Sequence, residues 1–228
     1  MGDIGYLHAV QLARRLTPAK CIMWFAPVCS TWVFINLATS LRSKHRPEGD
    51  ESRKTVRQGN AQVWRMLFLI LFTLGLQAEF IIEQPTSSVM IHHPALKFLK
   101  RILRALGRQL GRTHTWLGMY GANSRKGVQL FSNAKWVSKL KVKLDTKKAF
   151  SDKTVSRHYL CPLGIVRTCG GPGLKATQAY PPRFGDRVGE LFRKRSSAPK
   201  PCIPVTALAD VTERFEEEKT KGEACSGL

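Results

Sequence analysis

Two short apolar runs, each ending in a proline-containing polar loop, constrain the fold of this chain more than any other feature. The runs cover residues 21–26 and 79–83, and both have the length of a buried strand. Between them, residues 54–76 carry the pattern of one long helix, amphipathic at first and then apolar all round. A strand, a helix and a second strand in this order predict a right-handed unit with parallel strands.

The loops that follow these runs carry reactive side chains. Loop 27–32 contains Cys29 among small hydroxyl residues, and loop 83–88 begins with Glu83. Both loops leave the carboxyl ends of their predicted strands, the edge at which ligands bind in parallel α/β sheets. We therefore expect the two loops to face the same crevice.

The remaining patterns extend an α/β fold. Residues 3–18 predict a helix, and residues 94–107 predict a basic amphipathic helix. Residues 113–120 and 127–132 predict two strands that can form an antiparallel pair. We expect helices on both faces of the sheet.

Composition divides the chain into three parts. Residues 1–133 carry the α/β pattern, and residues 134–192 form a basic, irregular extension rich in glycine and proline, packed on or beside that domain. Residues 193–228 mix a basic stretch with an acidic run and predict a disordered tail.

The net charge of +21 over 228 residues predicts a polyanionic partner, nucleic acid or an anionic membrane. Residues 97–157 hold sixteen lysines and arginines but only two acids. A field of one sign favours phosphate contact, although solvated surface charge is the simpler alternative. The predicted nucleic-acid contacts are Lys97, Lys100, Arg101, Arg104, Arg108, Lys139, Lys141, Lys143, Lys147 and Lys148.

The cysteines predict free thiols in an intracellular reducing compartment, which would be the nucleus if the partner is DNA. Six cysteines occur without a CxxC pair, and no secretory signal opens the chain. His158, Cys161 and Cys169 match no standard zinc spacing, so we predict no metal.

Residues 66–76 form the most apolar stretch of the chain. They are shorter than the roughly 20 residues that a membrane-spanning helix needs. A buried helix is favoured and no obligate membrane partner is predicted, with membrane association through this stretch as a weaker alternative.

The two loops resemble motifs of the cytosine-5 DNA methyltransferases. That family usually has Pro-Cys after one strand and Glu-Asn, followed by Val or Pro, after another. This chain has Pro-Val-Cys at 27–29 and Glu-Gln-Pro at 83–85. The chain resembles a divergent branch of the family more fully. The shared pieces are PxCSxWV at 27–33, GN at 59–60, EQPTSS at 83–88, YG…LFSN at 120–133 and LKATQAYP at 174–181. The resemblance spans about residues 3–190.

The resemblance implies a Rossmann-like methyltransferase sheet and the chemistry of that family. Cys29 would be the nucleophile that attacks carbon 6 of a cytosine taken out of the duplex, and Glu83 would hold ring nitrogen 3. S-adenosylmethionine would be the methyl donor. The residues expected to support the pocket or its loops are Pro27, Ser30, Thr31, Gln84, Pro85, Ser87 and Ser88.

The chain also departs from the family pattern. The glycine-rich loop that holds the methionine part of the cofactor is missing, as is a Gln-x-Arg-x-Arg motif; Val28 replaces the usual proline and Gln84 the usual asparagine. The resemblance thus implies a member that is incomplete at its amino-terminal side, with catalysis lost rather than kept, or one whose cofactor half comes from a longer chain or a partner.

Each site residue also has a structural interpretation. Cys29 can be a small buried apolar residue, as free cysteines often are, and Glu83 can cap a helix or pair with an arginine. The corresponding function is that of a non-catalytic, basic nucleic-acid-binding protein.

Overall fold

The computed structural model describes residues 3–150, 156–162, 164, 166–170 and 177–195. Its helices are α1 (Asp3–Arg14), α2 (Leu37–Ser40), α3 (Lys54–Gly75), α4 (Pro94–Ala105) and α5 (Pro182–Arg193). Its strands are β1 (Ile22–Phe25), β2 (Glu79–Pro85), β3 (Gly111–Trp116), β4 (Gly127–Ser132), β5 (Ser156–Leu160) and β6 (Val166–Gly170). Short 3-10 helices cover Phe34–Asn36, Met90–His92, Leu117–Tyr120 and Lys135–Leu140.

The main sheet has the strand order β1-β2-β4-β3. Strand β1 pairs with β2 in parallel, with α3 between them in the chain, which confirms the predicted parallel unit. Strands β3 and β4 form the predicted antiparallel pair, and β4 is also antiparallel to β2. The fold is therefore α/β with a mixed sheet, in which the hairpin adds two antiparallel strands to the parallel pair.

The sheet is covered on both faces, as predicted. Side chains alternate along a strand, so Phe80 and Ile82 point to one side and Ile81 to the other. Phe80 and Ile82 belong to a core with α3 and α4, which defines the α3/α4 face. Ile81 belongs to a second core with the 135–140 helix and α5, which defines the α5 face.

The apolar stretch 66–76 belongs largely to α3 and is used in the core. Leu67, Ile70 and Leu74 are buried on the α3/α4 face, while Phe68 is half exposed. The part of the chain that the structure describes contains no helix with the length and hydropathy of a membrane span.

The extension after residue 133 is more regular than its composition indicated. It contains the 135–140 helix, the antiparallel pair β5-β6 and α5. The prediction of an irregular extension was wrong here, because Phe184 and Leu191 give α5 an apolar stripe that is buried against the sheet. Of the predicted disordered tail, residues 196–228 lie outside the described residues.

Candidate functional site

A buried glutamine connects the two predicted loops at the carboxyl ends of β1 and β2. The Gln84 side-chain amide donates to the carbonyl of Pro27 at 2.9 Å. The Ser88 hydroxyl donates to the Gln84 side-chain oxygen, also at 2.9 Å. Because Gln84 is almost fully buried, these bonds hold loop 83–88 against the start of the Cys29 loop.

Glu83 lies on the α5 face of the sheet and is only 7% exposed. Its Oε2 accepts a hydrogen bond of 2.7 Å from the hydroxyl of Tyr180. The Trp24 indole N–H lies 3.4 Å from the same hydroxyl oxygen, to which it donates. The second carboxylate oxygen, Oε1, is buried without a hydrogen-bond partner among the described residues. An unpaired buried carboxylate oxygen is costly, so this atom marks the site as suited to a ligand that donates a hydrogen bond.

Cys29 is partly buried and lies close enough to Glu83 for their charges to interact. Burial raises the pKa of the Cys29 thiol, the negative charge of Glu83 raises it further, and Lys126 opposes this shift. The thiol is therefore the stable form at neutral pH. A nucleophilic cysteine needs the opposite shift, so this conformation does not activate Cys29.

Tyr180 closes the site from a segment far away in the sequence. Its ring stacks near Phe184 with centroids 5.8 Å apart, and the Lys126 ammonium lies 5.8 Å from its centroid. Lys126 also donates to the carbonyl of Thr177 at 2.7 Å. Burial and the neighbouring Glu83 raise the pKa of Tyr180, so it stays a neutral hydrogen-bond donor.

The Gly-Asn pair at 59–60 lies within α3 and packs behind the Cys29 loop. Arg42 lies over the Trp32 ring at 3.4 Å, and its guanidinium donates to the Asn60 side-chain oxygen at 2.7 Å. A Cβ on Gly59 would lie 3.0 Å from that guanidinium and 3.1 Å from the Thr31 hydroxyl. The motif is therefore explained by close packing. Trp32 is fully buried in this core and is not available to stack on a base.

The predicted loop-support residues have different surroundings. Ser30 and Thr31 line a small cavity of about 230 Å³ that does not include Glu83; its other lining residues are Asn36, Thr39, Ser40, Arg53, Thr55 and Val56. The Ser88 hydroxyl also accepts a hydrogen bond from the backbone N–H of Met90 at 3.3 Å. Ser87 is exposed and Pro85 is partly buried.

The predicted phosphate contacts do not form one surface. The basic residues of α4 lie on the side of the sheet that the α3/α4 face forms. Lys139 and Lys141 lie on the side of the α5 face, where Glu83 also lies. Lys143 and Lys147 are exposed, and Lys148 donates to the Gly118 carbonyl at 2.8 Å. A run of like charges in sequence is thus divided by the sheet.

Sequence reasoning missed the contribution of α5 and, although residues 174–181 belong to the resemblance, gave Tyr180 no role. Tyr180 meets Glu83, and Arg183, Arg187 and Arg193 line a groove of about 730 Å³ with Lys139 and Lys141. The apolar residues Phe184, Val188 and Leu191 recur at helical spacing and were the available signal.

The described residues do not fit S-adenosylmethionine. Neither loop at the carboxyl ends of β1 and β2 contains a glycine. The cavity beside Ser30 is smaller than the roughly 300–1,000 Å³ typical of ligand pockets. The larger groove is lined by five basic and two acidic residues, and this excess of positive charge would repel a cationic sulfonium. The described residues also contain no group of His, Cys, Asp and Glu that could hold a metal ion.

No family model, curated protein or solved structure matches the chain.

Proposed function

We propose that this chain is a divergent cytosine-5 DNA methyltransferase-like protein. It binds nucleic acid and holds an unstacked cytosine between the Cys29 and Glu83 loops, without completing methyl transfer alone. The observation that carries the proposal is the buried, unpaired Oε1 of Glu83 beside Cys29, at the carboxyl ends of two parallel strands. The family resemblance of both loops and the adjacency of β1 and β2 support the Rossmann-like interpretation of the sheet.

The carboxylate chemistry favours cytosine over uracil. An ionised Oε1 that faces position 4 of the ring, beside nitrogen 3, accepts a hydrogen bond from the 4-amino group of cytosine. Uracil presents a carbonyl oxygen at position 4, which a carboxylate repels, and keeps a donor only at nitrogen 3. Tyr180 occupies the other oxygen, so it leaves Oε1 as the atom that meets the base. Entry of a base requires the Cys29 loop or the Tyr180 segment to move aside, since Oε1 is closed to solvent.

Reaction at the base needs more than the described residues supply. Attack on carbon 6 requires the Cys29 thiolate, and burial together with Glu83 raises the pKa of that thiol. The described residues also lack a place suited to the methyl donor. We therefore propose recognition of the base as the retained property, with any chemistry dependent on a cofactor half from a longer chain or a partner.

Binding to labelled oligonucleotides that differ at one unpaired position, cytosine or uracil, tests the proposal. We expect about tenfold tighter binding of the cytosine strand, the effect of one hydrogen bond to a charged group. Glu83→Gln should remove the preference, because an amide can donate to the uracil oxygen as well. Equal affinity of the wild-type protein for both strands would refute the proposal.

A second experiment measures the reactivity of Cys29 toward a bound cytosine. The protein is incubated with an oligonucleotide that carries 5-fluorocytosine, with S-adenosylmethionine in solution, and adducts are separated under denaturing conditions. We expect no adduct from the wild-type chain. An adduct that disappears in Cys29→Ala would show that the site reacts, and that the thiol is activated when the base is bound.

A non-catalytic nucleic-acid-binding protein without a base pocket is the second candidate. The five basic residues that line the groove beside α5 favour it. In that case, oligonucleotides bind in a salt-dependent manner but cytosine and uracil strands bind equally.

A further inference from the structure

A groove between α5 and the residues around the 135–140 helix has the charge and position suited to binding a nucleic-acid strand. Its lining includes Lys139, Lys141, Arg183, Arg187 and Arg193. Two acids, Asp186 and Glu190, also line it, which leaves an excess of positive charge. Its volume of about 730 Å³ is enough for a chain of phosphate and sugar groups rather than a single small ion.

The acids of the groove are partly neutralised within α5. Glu190 Oε2 lies 2.6 Å from the Arg187 guanidinium, and Glu190 Oε1 lies 2.8 Å from the Lys194 ammonium. These bonds lower the pKa of Glu190 to about 2, so it stays ionised and keeps its two cations in place. Lys141, Arg183 and Arg193 are exposed and are left to meet an anionic ligand.

The groove is on the same side of the sheet as the base pocket. Tyr180 contacts Glu83 and is followed directly by α5, whose N-cap is Pro181. The groove therefore starts within one turn of the pocket, at Arg183, and continues to Arg193 along the helix. The basic residues of α4 lie across the sheet, on the α3/α4 face.

We propose that the groove beside α5 binds the phosphate backbone of the nucleic-acid strand whose base enters the Glu83 pocket, and that the basic face of α4 does not. This inference rests on the proposed function for the position of the base, and it assigns the strand to one of two basic surfaces. The concave surface favours a strand over a lipid bilayer, since its only apolar lining residue besides Tyr120 is the partly buried Val142.

Two triple variants with the same change of charge test the inference. The groove variant is Lys141→Ala, Arg183→Ala and Arg193→Ala; the matched control on α4 is Lys97→Ala, Arg101→Ala and Arg104→Ala. All six side chains are exposed, and each variant loses one lysine and two arginines. Thermal unfolding first establishes that both variants are folded.

Anisotropy of a fluorescent single-stranded oligonucleotide is then measured over a range of salt concentrations. Each phosphate contact to a single strand contributes about 0.7 to the slope of log K against log salt, so the groove variant should lower the slope by about 2. The α4 control should lower it by less than about 0.7, the contribution of one contact. Equal reductions in the two variants, or a larger one in the control, would overturn the inference.

Two further comparisons separate this inference from the proposed function. A strand without cytosine should show the same reduction of the slope in the groove variant. If the wild-type protein shows no cytosine preference but the groove variant still has a smaller salt slope, the proposed function fails. The inference that the groove binds the phosphate backbone then still holds. Groove-dependent binding to vesicles of equal parts phosphatidylserine and phosphatidylcholine, without oligonucleotide binding, would overturn the groove as a nucleic-acid site.

Discussion

Two charges of opposite sign meet at the Cys29 thiol. Burial disfavours the thiolate, Glu83 repels it and Lys126 attracts it, and the sum raises the pKa of the thiol. Lys126 is held by the Thr177 carbonyl and so stays near the site. Burial and the position of these two charges, rather than the motif, determine the reactivity of Cys29 in this conformation.

Alkylation of Cys29 should therefore respond to both neighbours in opposite directions. Glu83→Gln removes a negative charge, lowers the pKa of the thiol and should speed reaction with iodoacetamide at a fixed pH. Lys126→Met should slow it. Peptide mass spectrometry over a pH series measures both rates, and the rate at Cys21 in the same digests is the internal control. Changes of the same sign at Cys29 in both variants would contradict this electrostatic account.

At residue scale, the sequence was informative where contacts are local to the two loops. Gln84 was expected to support the site, and its bond to Pro27 follows from the adjacency of the parallel strands. The bond from Tyr180 to Glu83 joins residues 97 positions apart. The motif at 174–181 contains Tyr180, but neither it nor any periodicity specifies this contact, because the contact depends on where the chain returns after the hairpin.

Helix α3 packs closely behind the Cys29 loop at Gly59. The Arg42 guanidinium next to this glycine is fixed by the carbonyl of Val56 at 3.1 Å, by Asn60 at 2.7 Å and by the Trp32 ring below it. Its freedom to move away from a new methyl group is small. The space at this position, rather than helix propensity, should decide the effect of a substitution.

Alanine substitutions at two helical glycines should therefore have opposite effects. Gly59→Ala should lower the free energy of unfolding by about 1 kcal/mol, because its methyl group would displace Arg42, at the lower end of typical overpacking costs. Gly185→Ala in α5 meets no atom within 4 Å and should raise the free energy by about 0.5–1 kcal/mol. Urea unfolding measures both. Stabilisation by Gly59→Ala would show that Arg42 can move at little cost.

At element scale, α3, β1 and β2 were predicted nearly to their bounds, since their apolar patterns are long or strongly bounded. Helix α5 was not predicted. Its apolar stripe is short and lies next to glycines at 185 and 189, and glycine weakens a helix pattern read from sequence. Burial of Phe184 and Leu191 against the sheet provides the stabilisation of this helix that its intrinsic helix propensity does not.

The whole molecule carries a net charge of +21, so repulsion among its lysines and arginines opposes folding. The sheet places the basic residues of α4 and those around the 135–140 helix on opposite faces, which increases their separation. At physiological ionic strength, charges more than about 8 Å apart are largely screened. Raising the salt from low to physiological concentration should therefore remove most of the repulsion between the faces, and repulsion within each face is what remains.

Stability should rise with sodium chloride from low to physiological ionic strength, because screening weakens repulsion among the lysines and arginines. Urea unfolding at several salt concentrations measures the effect. A variant with Lys143→Ser and Lys147→Ser, two exposed positions, should be less dependent on salt. Stability that falls or does not change with salt in the wild-type protein would show that ion pairs outweigh repulsion.

The sequence by itself determined the parallel β1–α3–β2 unit, the β3–β4 hairpin and the adjacency of the Cys29 and Glu83 loops. Apolar periodicity and strand order are local properties, and they fix which ends of neighbouring strands meet. Only the tertiary structure decided that Tyr180 pairs with Glu83 and that the basic run is divided between two faces. Both depend on which side of the sheet a distant segment covers, and the burial of α5 on that side provides the free energy that selects it.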